Sequence, residues 1–298
     1  MKLEIPDELK ADVPQTKWGK ILTATPVVMA VVATALAGLA SSEMTRAQYD
    51  RSLAAQQQSK AGDQWNFFQA KRLRGAMQRS TMDLLQSTTA VRPLDTAALE
   101  KFTTASGPLA IAALQKGELP AVSAAQMLEV NVKAALDAVE NQKPEAEIAN
   151  LLQQLKDAAL TEAVTAARDR SRAFDDATKP INQAIDQWEK SLPATDKPLS
   201  RDFTAARLRY AALRYDAEAR LNQAIANLYE LQVRKNNISA ERHHTRSQQF
   251  FYGMLAAQMA VIIATFAIAA RKRNLLWSLA AAAGVAAISF AIYVYLYV

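Results

Sequence analysis

The side chains best able to do chemistry are few and scattered. His243 and His244 are the only histidines and follow Glu241 and Arg242. Neighbouring positions on a helix point in different directions, so this pair cannot close on one metal ion. A structural or interfacial role is the ordinary use of such histidines, and pH sensing is the other. Asp175-Asp176 has no glycine-rich phosphate loop, Ser–His–Asp set or His-containing metal motif to accompany it, and reads as a solvated helix end. The chain has no Cys, which removes disulfides, zinc–thiolate sites and iron–sulfur clusters. These residues predict no catalytic centre, no metal and no cofactor, so the expectation is a protein that is not an enzyme. An active site would have to be assembled from dispersed carboxylates.

The densest cluster of recognition-capable residues is Gly62-Asp63-Gln64-Trp65-Asn66-Phe67-Phe68-Gln69-Ala70-Lys71-Arg72. At helical spacing Ala61, Trp65 and Phe68 share a face, with Arg72 a turn further on. Close contact with a partner helix is the common use of such aromatics. A ligand pocket in which Arg and Trp stack is the other. Asp63, Gln64, Trp65, Phe67, Phe68, Gln69 and Lys71 are therefore the candidate interaction residues.

What must position them is a membrane architecture. Two uncharged apolar runs, 250–270 and 275–298, flank Arg271, Lys272, Arg273 and Asn274. Each is long enough to cross a hydrocarbon core, which takes ~20 helical residues. The pair reads as a transmembrane hairpin with a basic bend at 271–274. A third uncharged run covers 21–40, behind Trp18 and Lys20 as interfacial anchors. It exceeds the ~7–15 residues of a signal-peptide core, and acids stud the stretch before it, so a retained anchor is expected. Pro26 falls in its first turns, where neighbouring helices tolerate proline.

Lys17 and Lys20 precede the first span and Arg271, Lys272 and Arg273 fill the bend, so with three spans those two regions share a side. The positive-inside rule puts them in the cytoplasm. The expected layout is a cytoplasmic tail at 1–20, a periplasmic region at 41–249, and a bacterial inner-membrane location.

Residues 41–249 read as all-helical. Helices are expected at 41–89 and 200–249, forming an antiparallel stalk, with shorter helices at 90–199 over its far end. The first half of 41–89 is so polar that it needs either a partner with small side chains or solvent all round. Pro93 ends it. Helices follow at Asp95–Ser106, capped by Asp95 or Thr96, and at Leu109–Lys116, stopped by Gly117. The capping box Ser123–Gln126 predicts a helix over Ala124–Asn141 with Met127, Val130, Ala134, Leu136 and Val139 inward. Pro144 at a first helical turn opens Glu145 to about Thr178, interrupted at Pro180. A turn set over Ile181–Leu192 buries Ile185 and Trp188, and a loop runs from Leu192 to Pro198. Ser200 is expected to cap the returning helix, whose seam is Tyr210, Leu213, Ala217, Leu221, Ala224, Leu228 and Leu231.

The formal charge of +6 is spread between the bend and a nearly balanced middle, so no nucleic-acid surface is expected. The spans carry no charged residue or histidine, which argues against a pump or secondary transporter. They do carry small-residue pairs, Thr34/Gly38, Gly253/Ala257 and Ala280/Gly284, suited to close helix packing within one chain or between copies.

The segment Gly62–Lys71, downstream of an N-terminal span, resembles a family of bacterial membrane proteins described only as a domain of unknown function. Its members resemble this chain in having one N-terminal span, an Asp-Gln-Trp…Gln-Ala-Lys helix, a charged helical middle and a C-terminal two-span hairpin. Phe68 stands where the family pattern has Tyr, and residues 93–198 carry no resemblance. The likeness implies the topology and supplies no activity. Two roles follow as expectations. The first is a non-catalytic structural or accessory component in the lipid bilayer, assembling with itself as a homo-oligomer or with a membrane complex. The second is a periplasmic sensor or ligand-binding module that signals through a partner.

Overall fold

The computed structural model describes residues 17–100, 107–121, 128–192, 196–269 and 273–297, and every regular element among them is a helix. In chain order these are α1 (Lys17–Thr88), α2 (Ala97–Glu100), α3 (Gly107–Lys116), α4 (Val130–Glu140), α5 (Glu145–Gln154), α6 (Asp157–Ser191), α7 (Lys197–Ala269) and α8 (Arg273–Tyr297). Residues 1–16 of the expected tail, Arg271 and Lys272 of the bend, and the capping box at Ser123–Gln126 lie outside the described residues. Arg273 opens α8.

The chain divides into two compact units, 1–53 with 236–298, and 54–235. The division falls beyond the ends of the apolar runs, so nearly four turns of polar helix on each side belong with the spans. In the first unit, α1, α7 and α8 each contain a stretch long and apolar enough to cross a membrane. Their shared interface mixes alanines with a few larger side chains: Met29, Ala33, Ala257, Ala260 and Ala287 form one buried cluster, and Leu36, Ala40, Phe250 and Val294 the next. A Cβ at Gly253 would sit 3.4 Å from Leu36, and one at Gly284 would sit 3.0 Å from the Met29 sulfur. Two of the small-residue pairs noted in the sequence thus serve contacts inside the chain. The third does not: Thr34 and Gly38 are exposed. Most large apolar side chains of these helices, among them Val27, Phe266 and Val285, also face outward.

Above the apolar stretches the same unit continues as an antiparallel pair. The Ser247 hydroxyl donates to the Ala40 carbonyl at 2.7 Å, His243 meets Glu43, and Arg51 lies 3.9 Å from Glu241. Ala47 and Ala240 are fully buried here.

In the second unit α1 and α7 again run antiparallel, with Trp65 bonded to Glu230, Lys71 paired with Glu218 and Arg79 with Asp216. The buried positions on α1 are Ala54, Ala61 and Gly75; on α7 they include Ala205, Ala212, Ala219, Ala226 and Val233. Seven residues are nearly two helical turns, so each set lines one face. Alanine is the strongest helix former and its side chain barely separates two axes. A Cβ at Gly75 would lie 3.6 Å from the Ala212 carbonyl, so the backbones approach closely there. This answers how so polar a helix packs: each partner supplies small side chains.

The main core of this unit joins Leu99, the α3 residues Ala110, Ala113 and Leu114, the α6 residues Ile181, Ala184, Ile185 and Trp188, and Phe203 and Tyr210 of α7. The seam expected on α7 needs correction, because Leu213 and Ala224 are exposed while Phe203, Leu208, Ile225 and Tyr229 are buried. The helix is covered on more than one side, which a single stripe cannot describe.

Other corrections concern ends. Helix α4 begins at Val130 after Glu129 in an extended conformation and buries Val132, Ala135 and Ala138, with Val130 of the expected stripe exposed; Ala124 and Met127 lie outside the described residues. Pro144 is the cap residue before α5. Pro180 does not interrupt α6. Phe174, Thr178, Ile181, Ala184, Ile185 and Trp188 are buried on both sides of it, and that packing overrides the loss of one backbone bond. The chain instead breaks at Leu155, with ψ of 131°. The Lys235 ammonium accounts for this break: it donates to the Leu155 carbonyl and pairs with Asp157 at the start of α6. At α7 the cap is Asp196, whose carboxylate accepts the Leu199 N–H at 3.1 Å, so Ser200 lies inside the helix.

Asp202 ties the end of α1 to α7. It is buried, which opposes ionisation, but the Arg201 guanidinium at 3.0 Å and the backbone N–H of Arg92 at 3.1 Å outweigh burial and hold its carboxyl below the ordinary carboxylate range. A depressed value stabilises the fold above the unfolded pKa, and that contribution disappears as pH falls through the folded value. Asp202→Ala should therefore cost about 1–3 kcal/mol at neutral pH, and the gap from wild type should narrow in acid, as read by thermal unfolding across pH. Ala226→Leu should cost about 1–3 kcal/mol by overpacking, because Ala226 is fully buried on the close-packed face of α7; chemical denaturation measures it.

Candidate functional site

The Gly62–Lys71 segment folds as continuous helix in the second unit, so its candidate residues are distributed by helical angle. Asp63 and Gln69 face solvent. Trp65 turns toward α7 and donates its indole N–H to Glu230 at 2.7 Å. Phe68 meets Trp65 edge-on at 5.3 Å, and Arg72 lies 5.5 Å from the Phe68 ring. The cation–π partner of Arg72 is thus Phe68 and not Trp65. Of these contacts only the Trp65–Glu230 bond crosses to α7; the ring contacts of Phe68 lie within α1 itself.

Gln64, Phe67 and Lys71 do something else. They line one wall of a cleft of about 310 Å³ between α1, α6 and α7. Arg168, Ser171, Arg172 and Asp175 of α6 form the second wall, and Glu218, Asn222 and Ile225 of α7 the third. Gln64, Phe67 and Lys71 are three and then four residues apart, each about one turn, so a single face of α1 presents them together. Arg168, Arg172 and Asp175 share a face of α6 for the same reason.

The electrostatics are uneven. Glu218 is buried and satisfied by two cations, Lys71 and Arg214, the latter at 3.0 Å. Arg214 also lies 4.5 Å from the Tyr215 ring and Lys71 5.5 Å from it. Asp175 lacks that support. Burial first, and then the Glu218 carboxylate, push its carboxyl above the ordinary range, against the pull of Lys71 and Arg214. The Gln64 carbonyl oxygen is buried without a donor. Arg168 makes no hydrogen bond or ion pair among the described residues, whereas Arg172 contacts Asp169 at 3.4 Å. Tyr210, in a neighbouring cleft, has a buried hydroxyl with no partner, and burial pushes its phenol up to about 12.

Histidine chemistry lies elsewhere, in the first unit. His243 Nδ1 contacts Glu43, which also binds Arg46 at 3.3 Å, and His244 Nε2 is 3.0 Å from Gln248. The adjacent histidines point to different partners, as their spacing requires. Among the described residues no group of three His, Asp or Glu side chains is arranged to hold a metal ion.

Sequence reasoning found the α1 wall of the cleft through its aromatic and amide cluster. It missed Arg168, Arg172 and Asn222. Nothing local marks them; only a heptad-like alignment of α6 and α7 against α1 would have done so. Residues 18–107 match the model of a family described as a domain of unknown function, DUF4337, in agreement with the resemblance carried by Gly62–Lys71. The match takes in the first apolar segment and the α1 wall of the cleft, and does not reach residues 250–298. No curated protein and no solved structure matches the chain significantly.

A raised carboxyl pKa opposes stability as pH rises through the folded value, and its contribution is complete only below the ordinary 3.8. Asp175→Asn should therefore unfold at higher temperature than wild type at neutral pH. That advantage should vanish below pH 3.8, as circular-dichroism melts across pH will show.

Proposed function

We propose that this chain is a bilayer-anchored helical scaffold, a non-catalytic component that assembles with itself or with a membrane complex. The observation that carries the reading is on α1, beyond the apolar run. Leu73, Met77 and Leu84 are each about 60% exposed and share one side of the helix, opposite the buried Gly75. A long polar helix that keeps three large apolar side chains on its outer side is built for a further contact. The outward Thr34/Gly38 pair on the first apolar segment supports the same reading, since small-residue faces let helices approach in lipid.

The reading includes a bacterial inner-membrane location with the N-terminus and the bend cytoplasmic, 41–249 periplasmic, and α1 and α7 forming a stalk; the basic residues Lys17, Lys20, Arg271, Lys272 and Arg273 support it through the positive-inside rule. The absence of Cys makes single-cysteine labelling direct. Cysteines at Ser52 and at Asn274 should label from opposite faces of the membrane. Blue-native mass in mild detergent should exceed that of a monomer, and Leu73→Ser with Met77→Ser should reduce it toward monomer without lowering thermal stability. A strictly monomeric protein that captures no membrane partner would end this reading.

A further inference from the structure

The cleft between α1, α6 and α7 is not accounted for by scaffolding. A pure packing interface would fill it or neutralise it. Instead it keeps close together three polar groups that no other side chain partners among the described residues: the buried, donor-less carbonyl of Gln64, the solvent-exposed carboxyl of Asp175 near the Glu218 carboxylate, and the solvent-exposed guanidinium of Arg168. Two of these want donors and positive charge. The third, with Arg172 one turn further along α6, wants an anion. Arg172 and Asp175 are separated by about 4.5 Å of helix rise, so the two preferences lie within reach of one small molecule. Phe67 and Ile225 add an apolar strip beside them.

We propose that this cleft binds a small zwitterion, an L-α-amino acid. Its carboxylate is held by Arg168 and Arg172, its ammonium is received by Asp175 and the Gln64 carbonyl, and its side chain lies against Phe67 and Ile225. The occupant meets each unmet requirement at once. An ammonium between Asp175 and Glu218 relieves the repulsion between them, and a carboxylate pairs with Arg168 in the fork geometry that guanidinium favours. An amine alone leaves the arginines unmet, and a carboxylate alone would add charge beside Asp175. Glu218 stays with Lys71 and Arg214 and completes the floor. The cleft volume of about 310 Å³ is room enough for one such molecule.

The test uses the full chain in detergent micelles, with isothermal calorimetry and thermal shift as readouts. The standard L-α-amino acids are titrated singly, beside isoamylamine, isocaproate and inorganic phosphate. At least one amino acid with an uncharged side chain should bind about tenfold or more tightly than isoamylamine or isocaproate. Arg168→Gln should weaken that amino acid about tenfold and leave isoamylamine unchanged. Gln64→Leu should weaken it while keeping or raising the melting temperature, since it removes an orphan acceptor. Both positions lie outside the close-packed face, so loss of binding can be separated from loss of fold by circular dichroism. The proposal is overturned if no amino acid binds, if the amine, the carboxylate or phosphate binds as tightly, or if both variants bind like wild type. A monomeric chain that still binds amino acids would defeat the scaffold and leave this site standing.

Discussion

The structure depends on how closely α1 and α7 can approach. Two helices with large facing side chains stand 8–10 Å apart, at the far end of that range when the side chains are bulky. Here the facing positions are Ala40 against Ser247 in one unit, and Gly75 against Ala212 in the other. Small residues bring backbones together, and that has a cost. Little apolar area is buried per turn, so dispersion and hydrophobic burial contribute less than in a leucine-filled core. Polar edges must supply the difference. Three residues beyond Ala40, Ala54 and Ala61 stand Glu43, Gln57 and Gln64, and each narrow face is therefore bordered by groups that must find hydrogen bonds.

Those bonds fix which residues stand opposite one another. Alanine faces are interchangeable, and a helix could slide along its partner by a heptad at small cost. Charged and hydrogen-bonded pairs cannot slide. Glu43 has to meet His243, Lys71 has to reach Glu218, and Trp65 has to reach Glu230. Breaking one partner of a buried pair is far more costly than the pair is worth in net stability. In this chain the polar contacts therefore specify register, while the alanines permit proximity. The same logic applies at the break at Leu155, where the Lys235 ammonium meets the part-buried Leu155 carbonyl and Asp157 at the following helix start together.

Helical class, the apolar runs and the ends at Gly117 and Thr88 were legible because each depends on local chemistry: uncharged length, a left-handed glycine with φ of 69°, and a nearby proline. The faces were less legible. The apolar seam at spacings of three and four takes in Leu213 and Ala224, which are exposed, and passes over Ala212, Ala219 and Ala226, which are buried. Alanine is common in any helix for reasons of propensity, so its seven-residue recurrence is hard to separate from composition without knowing that a second helix carries the same spacing. Pro180 misled for the opposite reason. Its local cost is large and visible, while the packing of Phe174 and Trp188 that outweighs it is tertiary and invisible in sequence.

The Gly62–Lys71 segment shows how one stretch can serve two purposes without conflict. A helix offers a different direction every residue, so Trp65 and Phe68 can be spent on packing while Gln64, Phe67 and Lys71 remain at a cleft wall. The aromatics dominate the sequence signal because they are rare and large, yet in the structure only Trp65 is bonded to α7, and Phe68 packs on Trp65 and Arg72 of its own helix. The quieter amide and cation beside them are the ones left facing open volume. Rigidity contributed by the first set is what gives the second set fixed positions, since a polar group can hold a guest selectively only when its own helix cannot turn to satisfy it. Gln64 illustrates the point: next to Trp65, whose indole is bonded to Glu230, its carbonyl oxygen is buried with no donor among the described residues.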